Sequence, residues 1–140
     1  SIIMYVPSRR FTAISHAQLP ENKKYGIQCM DSCPKPCLYD TQETNRFRYI
    51  TCSSRYMMEE MRRRGIASHE IETFIYGGAA LYNLRFENMS IGEANVKMAE
   101  KIVRHFKLKI AAQDVGGNQS RKILFNTETG KTEVRLTINK

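Results

Sequence analysis

Gln113-Asp114-Val115-Gly116-Gly117-Asn118-Gln119-Ser120-Arg121-Lys122 joins two apolar segments through a double-glycine corner. Leu108 to Ala112 reads as one strand before it, and Lys122 to Asn126 as another after it. Adjacent glycines reach backbone angles that a Cβ forbids, and they let a second segment come close. The pattern predicts a tight strand-to-strand corner with a polar mouth. Because the glycines run into a strand rather than a helix N-terminus, the corner argues against a phosphate cradle.

Working outward, a last strand over Thr132 to Ile138 follows the turn Glu128-Thr129-Gly130-Lys131. Upstream, Ser90 and Glu93 have capping-box spacing, and the helix they open carries Val96, Ala99, Ile102, Val103 and Phe106 on one stripe. Ile71 to Tyr76 reads as a strand ending at Gly77-Gly78, a pair without nucleotide-loop spacing. Ile50, Ser54, Met57, Met58 and Met61 recur at helical spacing with Gly65 as a stop, and the methionines read as core. Ile2 to Val6 and Phe11 to Leu19 read as strands joined by Pro7-Ser8-Arg9-Arg10. The order β-β-α-β-α-β-β-β does not alternate strictly. The predicted class is α+β: one domain of mixed or antiparallel sheet layers packed with two main helices.

The 140 residues fit one domain, large enough to bury a core without staples. No apolar run approaches the roughly 20 residues needed to cross a bilayer, and no signal peptide is recognisable, so the expected location is cytoplasmic. The chain starts at Ser1 rather than Met, and the expectation is that an upstream segment has been lost. Lys and Arg exceed Asp and Glu by 22 to 14, giving +8, a balance that draws acidic partners. Many of these charges stand at i,i+4 from a carboxylate, as in Glu60 with Arg64 and Glu93 with Lys97, which reads as a solvated helix face. Arg62-Arg63-Arg64 and the Lys97, Lys101, Arg104 stripe come without any RRM, KH or helix-turn-helix signature, so no nucleic-acid partner is expected.

The glycine corner resembles the A-E-D-x-G-G-N block of CheD, the chemoreceptor glutamine deamidase family of bacterial chemotaxis. Three more blocks fall in that family's order: His16-Ala17-Gln18-Leu19-Pro20, Tyr76-Gly77-Gly78-Ala79 and Ile91-Gly92-Glu93-Ala94-Asn95. The resemblance spans nearly the whole chain, as a single CheD-like domain over residues 1–140 lacking its N-terminal segment. Gln113 stands where the family has Glu, and Ala94 where it usually has Arg. By resemblance, the chain is a protein-glutamine deamidase that turns selected receptor glutamines into glutamates. Its implied partners are methyl-accepting chemotaxis receptors and the phosphatase CheC.

The chemistry needs a nucleophile stronger than water and a group that accepts and returns protons. A Cys–His pair supplies both, through a thioester. Alone, His16 reads as an ordinary strand histidine sharing a face with Ile14 and Gln18. The match to the family's His-x-x-Leu-Pro element implies that it is the catalytic base. The family's nucleophile lies in a Gly-Ser-Cys element entering the first strand here, with a catalytic Thr further upstream. Neither maps onto a residue present, so the nucleophile is expected upstream of Ser1. Gly77, Gly78, Gly116, Gly117 and Asn118 are candidates for shaping the substrate groove. The alternative is a catalytically inactive binding module for receptor helices or CheC.

Residues 20–46 form a long loop, an insertion where the chain departs most from the family, and it holds three of the four cysteines. Cys29, Cys33, Cys37 and Cys52 have the ligand count of a structural zinc, although C-x₃-C-x₃-C is not the usual zinc spacing. Free thiols in a reducing compartment are the other reading, and Cys29 or Cys33 as partner of His16 is a third. The chemistry itself requires no soluble cofactor.

Overall fold

The computed structural model describes residues 1–21, 46–81 and 83–137. The elements run β1 (Ile2–Val6), β2 (Phe11–Ser15), α1 (Ile50–Arg63), β3 (Glu72–Gly77), β4 (Arg85–Phe86), β5 (Met89–Ser90), α2 (Ile91–His105), β6 (Lys109–Val115), β7 (Ser120–Phe125) and β8 (Thr132–Thr137). The four-stranded sheet has the order β2-β1-β3-β6, with β1 antiparallel to both neighbours and β6 parallel to β3. The hairpins β4–β5 and β7–β8 stand outside it. The α+β expectation holds, as a mixed sheet with a helical layer on one face and the β7–β8 ribbon on the other.

This layering explains why β1 is apolar at every position rather than alternating. All five of its residues are buried, because both faces of a central strand are covered. Ile2, Met4 and Val6 face the helices and pack with Met57, Met58, Met61 and Ile102. Ile3 and Tyr5 face the other way and join Phe74 and Tyr76 beneath Ile123, Phe125 and Val134 of the ribbon. Phe125 meets the rings of Tyr5 and Phe74 edge-on at 5.8 and 5.3 Å. The Tyr5 hydroxyl donates to the Glu128 carbonyl at 2.6 Å and ties the ribbon's turn to the sheet. Each fully buried Ile or Met side chain contributes about 1.5–3 kcal/mol, so the two clusters together hold the layers in place.

The helices start and stop as their sequences direct. Ser90 Oγ accepts the Glu93 N–H at 3.1 Å and caps α2, while the Glu93 carboxylate pairs with Lys97 at 3.2 Å. Arg9, on the β1–β2 connection, donates to the carbonyls of Arg64 and Gly65 at 2.6 and 3.2 Å, satisfying the open end of α1. The main correction concerns β2, which ends at Ser15 and not at Leu19. Beyond it, the N–H groups of Gln18 and Leu19 both donate to the Arg48 carbonyl, at 3.0 and 2.9 Å. Residues 16–20 are thus a strap bound to the approach to α1, and His16 stands just past the end of its strand.

Candidate active site

β1 sets the geometry around His16. Ser1 lies opposite Tyr76 of β3: its nitrogen donates to the Tyr76 carbonyl at 2.7 Å, and its carbonyl accepts the Tyr76 N–H at 3.0 Å. With both polar backbone groups turned to β3, Ser1 faces β2 as a member of a non-hydrogen-bonded pair, the kind in which side chains come closest. The register pairs Ile2 with Ser15, and one step further places Ser1 opposite His16. Ser1 Oγ and His16 Nδ1 are 2.8 Å apart. His16 remains exposed to solvent. Partial burial pulls its imidazole below the usual histidine value.

Ser1 and His16 line a cavity of about 740 Å³ at the end of the sheet. Its walls are mainly apolar, from Ile2, Leu19, Ile75, Leu84, Val96 and Ile123, with the polar side chains of Gln18, Arg48, Asn95 and Arg121 among them. Such a cavity has the size and lining of a site for a small group or one inserted side chain with its neighbours.

Of the two glycine corners, the first forms part of the cavity's wall. Gly77 and Gly78 line it; Gly116, Gly117 and Asn118 do not. The second corner supports the first from behind: the Gly116 N–H donates to the Gly77 carbonyl at 2.8 Å, and the Ala80 N–H to the Gly117 carbonyl at 2.9 Å. Gly116 and Gly117 have φ of +76° and +72°, so there the glycine serves the backbone angle. Gly78, with φ of +71°, serves both the backbone angle and close approach. A Cβ on it would meet the Gly92 carbonyl at 2.9 Å and run into the Val96 side chain.

Arg121, which reading the glycines alone passed over, locks the second corner. Its side chain is 8% exposed, its Nη2 pairs with Asp114 Oδ1 at 2.7 Å, and its Nη1 donates to the carbonyls of Gly116 and Gln119 at 2.9 and 3.3 Å. The Arg121 hydrogen bond holds the Asp114 carboxyl below its usual pKa. An Asp at the end of one strand and an Arg at the start of the next, flanking Gly-Gly, was the available signal. Arg121→Met is expected to lower stability by about 2 kcal/mol, because two carbonyls lose their donor while the partly exposed Asp114 keeps water. A lower denaturation midpoint with unchanged slope would record it.

Asn95 donates from Nδ2 to the Gln18 carbonyl at 3.0 Å and so ties the strap to α2, a role that its place in the Ile91–Asn95 run does not signal. Cys29, Cys33 and Cys37 lie outside the described residues. Cys52 is half-buried on α1, and the described residues contain no group of three His, Cys, Asp or Glu that could hold a metal ion. No helix among them is long and apolar enough to cross a membrane.

The family model for CheD chemotactic sensory transduction matches residues 34–136. The chain belongs to the CheD family. That match begins downstream of His16, but relatives extend across it. A protein of Pyrococcus horikoshii named probable chemoreceptor glutamine deamidase CheD is 27% identical over 135 residues, covering 96% of this chain and 74% of that one. One of Halalkalibacterium halodurans, named chemoreceptor glutamine deamidase CheD, is 26% identical over 136 residues, covering 96% and 75%. The similarly named protein of Thermotoga maritima is 34% identical over 88 residues, covering 63% of this chain and 55% of its own length. These names put the chain among CheD proteins of chemotaxis and make chemoreceptors plausible partners.

Proposed function

We propose that the chain deamidates glutamine side chains of chemoreceptors, with His16 as its general base. The observation that carries this reading is the placing of an exposed imidazole at the mouth of a mostly apolar cavity, held by a hydrogen bond at Nδ1. An apolar cavity fits an inserted side chain from a helical substrate better than it fits an anionic metabolite. The reaction forms a bond from a thiolate sulfur to the glutamine carboxamide carbon and breaks the C–N bond. The imidazolium protonates the departing ammonia, and water then releases glutamate from the thioester.

The sulfur in this proposal belongs to a cysteine on the segment leading into β1. Side chains on β1 alternate, and Ser1, Ile3 and Tyr5 share the face on which His16 stands. A cysteine two positions ahead of Ser1 returns to that face, whereas one immediately ahead points to the helices. Mass spectrometry of receptor peptides incubated with the full-length protein tests the activity, through a gain of about 1 Da at glutamine. Unaltered receptor glutamines would leave a binding module for receptor helices or CheC.

A base must be unprotonated to act, and partial burial keeps His16 neutral to a lower pH than an open histidine. Arg48 and Arg121 line the same cavity, so its charged neighbours there add no pull toward protonation. The expected kcat/KM rises with pH through a value below the ordinary imidazole pKa and is flat at neutrality. An acid limb centred above that ordinary value would contradict the assignment. No step requires a cofactor; a structural zinc on Cys29, Cys33, Cys37 and Cys52 is a separate proposal, tested by metal analysis of the purified protein.

A further inference from the structure

We infer that Asn95 reads the carboxamide of the substrate: its Nδ2 is committed to the Gln18 carbonyl, and its Oδ1 accepts an N–H of the target glutamine, which sets glutamine apart from glutamate. That the cavity takes a receptor side chain rests on the deamidase reading; the preference of Oδ1 for a ligand carrying an N–H does not.

The fold fixes where Asn95 stands. It follows Gly92 by one turn of α2, on the same face of the helix. Gly92 is seated on the first glycine corner, where an added Cβ would lie 2.6 Å from the Ala79 carbonyl. Asn95 is therefore held in the wall of the cavity that Ser1, His16 and Gly78 also line. A group carried on a helix keeps its place more closely than one on a loop. The hydrogen bond from Nδ2 to Gln18, at 3.0 Å, then settles which way the side-chain amide is turned. A backbone carbonyl accepts and cannot donate, so Nδ2 faces Gln18 and Oδ1 is the end left over.

Oδ1 is buried and has no hydrogen-bond partner. Among the described residues, Arg121 is the other cavity-lining residue with such an atom, and its Nε is a donor. A donor serves glutamine and glutamate alike, because both present oxygen. An acceptor separates them. The glutamine amide brings two N–H groups, whereas ionised glutamate brings only lone pairs and a charge. An enclosed acceptor without a donor costs free energy, which a ligand N–H relieves and a carboxylate oxygen adds to. Gln18 and Gln119 line the same cavity, but both are exposed, and their amides can turn either end to a ligand. Among the described residues of the wall no side chain is acidic, while Arg48 and Arg121 are cations, the latter paired with Asp114. Charge alone thus favours the glutamate product, and Asn95 opposes it.

The test measures how the full-length protein binds two receptor helix peptides, alike except for Gln or Glu at the target position. His16→Gln serves as the parent, so that the Gln peptide is not consumed. Asn95→Ala and Asn95→Asp in that parent both remove the amide donor to Gln18, but only Asp keeps an acceptor in the place of Oδ1. The ratio of the two dissociation constants is expected to move about tenfold toward Glu in Asn95→Ala. In Asn95→Asp it is expected to hold at the parent value or to move toward Gln. A loosened strap would shift both variants the same way. Equal ratios in the parent and Asn95→Ala would overturn the inference, as would ratios that move together in the two variants, or peptides of which neither binds. Mass gain at glutamine in the unaltered protein is followed in parallel. An unmoved ratio beside a mass gain rejects the role of Asn95 alone, whereas a moved ratio without any mass gain keeps that role and rejects the deamidation.

Discussion

His16→Gln is expected to lower receptor deamidation by about 10²–10⁴-fold while leaving the fold intact. Glutamine is chosen because its amide still reaches the Ser1 hydroxyl but has no nitrogen that takes a proton near neutral pH. The substitution therefore separates the acid–base role from the packing role. The fold has little at stake, since His16 is exposed and lies beyond the β1–β2 ladder. The measurement is the rate of mass gain at receptor glutamines, set beside a thermal unfolding curve of the same variant. An unchanged rate would remove His16 from the reaction. A lost rate with a lowered unfolding temperature would instead mean that the strap at residues 16–20 needs the ring for its own order.

That strap shows where the reading of the sequence stops. Ala13 to Leu19 is apolar enough to continue a strand, and nothing local to it marks an end at Ser15. The end is set from 30 residues away in sequence, by the Arg48 carbonyl that collects the N–H groups of both Gln18 and Leu19. Long-range capture of this kind leaves no periodicity behind. β1 and β3 present the reverse case. Their apolar runs announced strands, but the face each residue takes became visible only once the ribbon β7–β8 was seen to cover the side opposite the helices. Helix α1 was legible from its stripe, because Ile50, Ser54, Met57, Met58 and Met61 carry the 3.6-residue period and are all buried, although Thr51 and Ser53 are buried beside them.

The candidate site was legible in its parts and not in its assembly. His16 and the two glycine corners were named from the sequence, but their mutual support passes through backbone hydrogen bonds that side-chain identity does not encode. Ser1 carried no signal beyond its position. Its significance follows from register, which requires knowing that Ile2 pairs with Ser15 and Ile75 at once. Arg121 and Asn95 hold the site's edges through carbonyl groups, and any residue type can supply a carbonyl. A scan for chemically distinctive neighbours passes over such contacts.

The glycines provide the second large effect, and its sign separates two explanations. Gly92 is the second residue of α2, and replacing a helical glycine by alanine ordinarily stabilises a protein by about 1 kcal/mol. Here Gly92→Ala is expected to destabilise by about 3 kcal/mol. A Cβ at that position would stand 2.6 Å from the Ala79 carbonyl and would also collide with the Gly78 carbonyl. Both obstacles are backbone, and Gly78 cannot retreat without breaking the approach of β3 to the second glycine corner. The helix would have to lift away, taking Val96 and Asn95 from the cavity wall. Gly65→Ala is the control: a Cβ there meets nothing within 4 Å, and only its φ of +66° is unfavourable, so its cost stays near 1 kcal/mol. Chemical denaturation of the two variants decides the matter. If Gly92→Ala were as mild as Gly65→Ala or stabilising, α2 would not be seated on Gly78, and the cavity beside His16 would lack the wall that makes it a site.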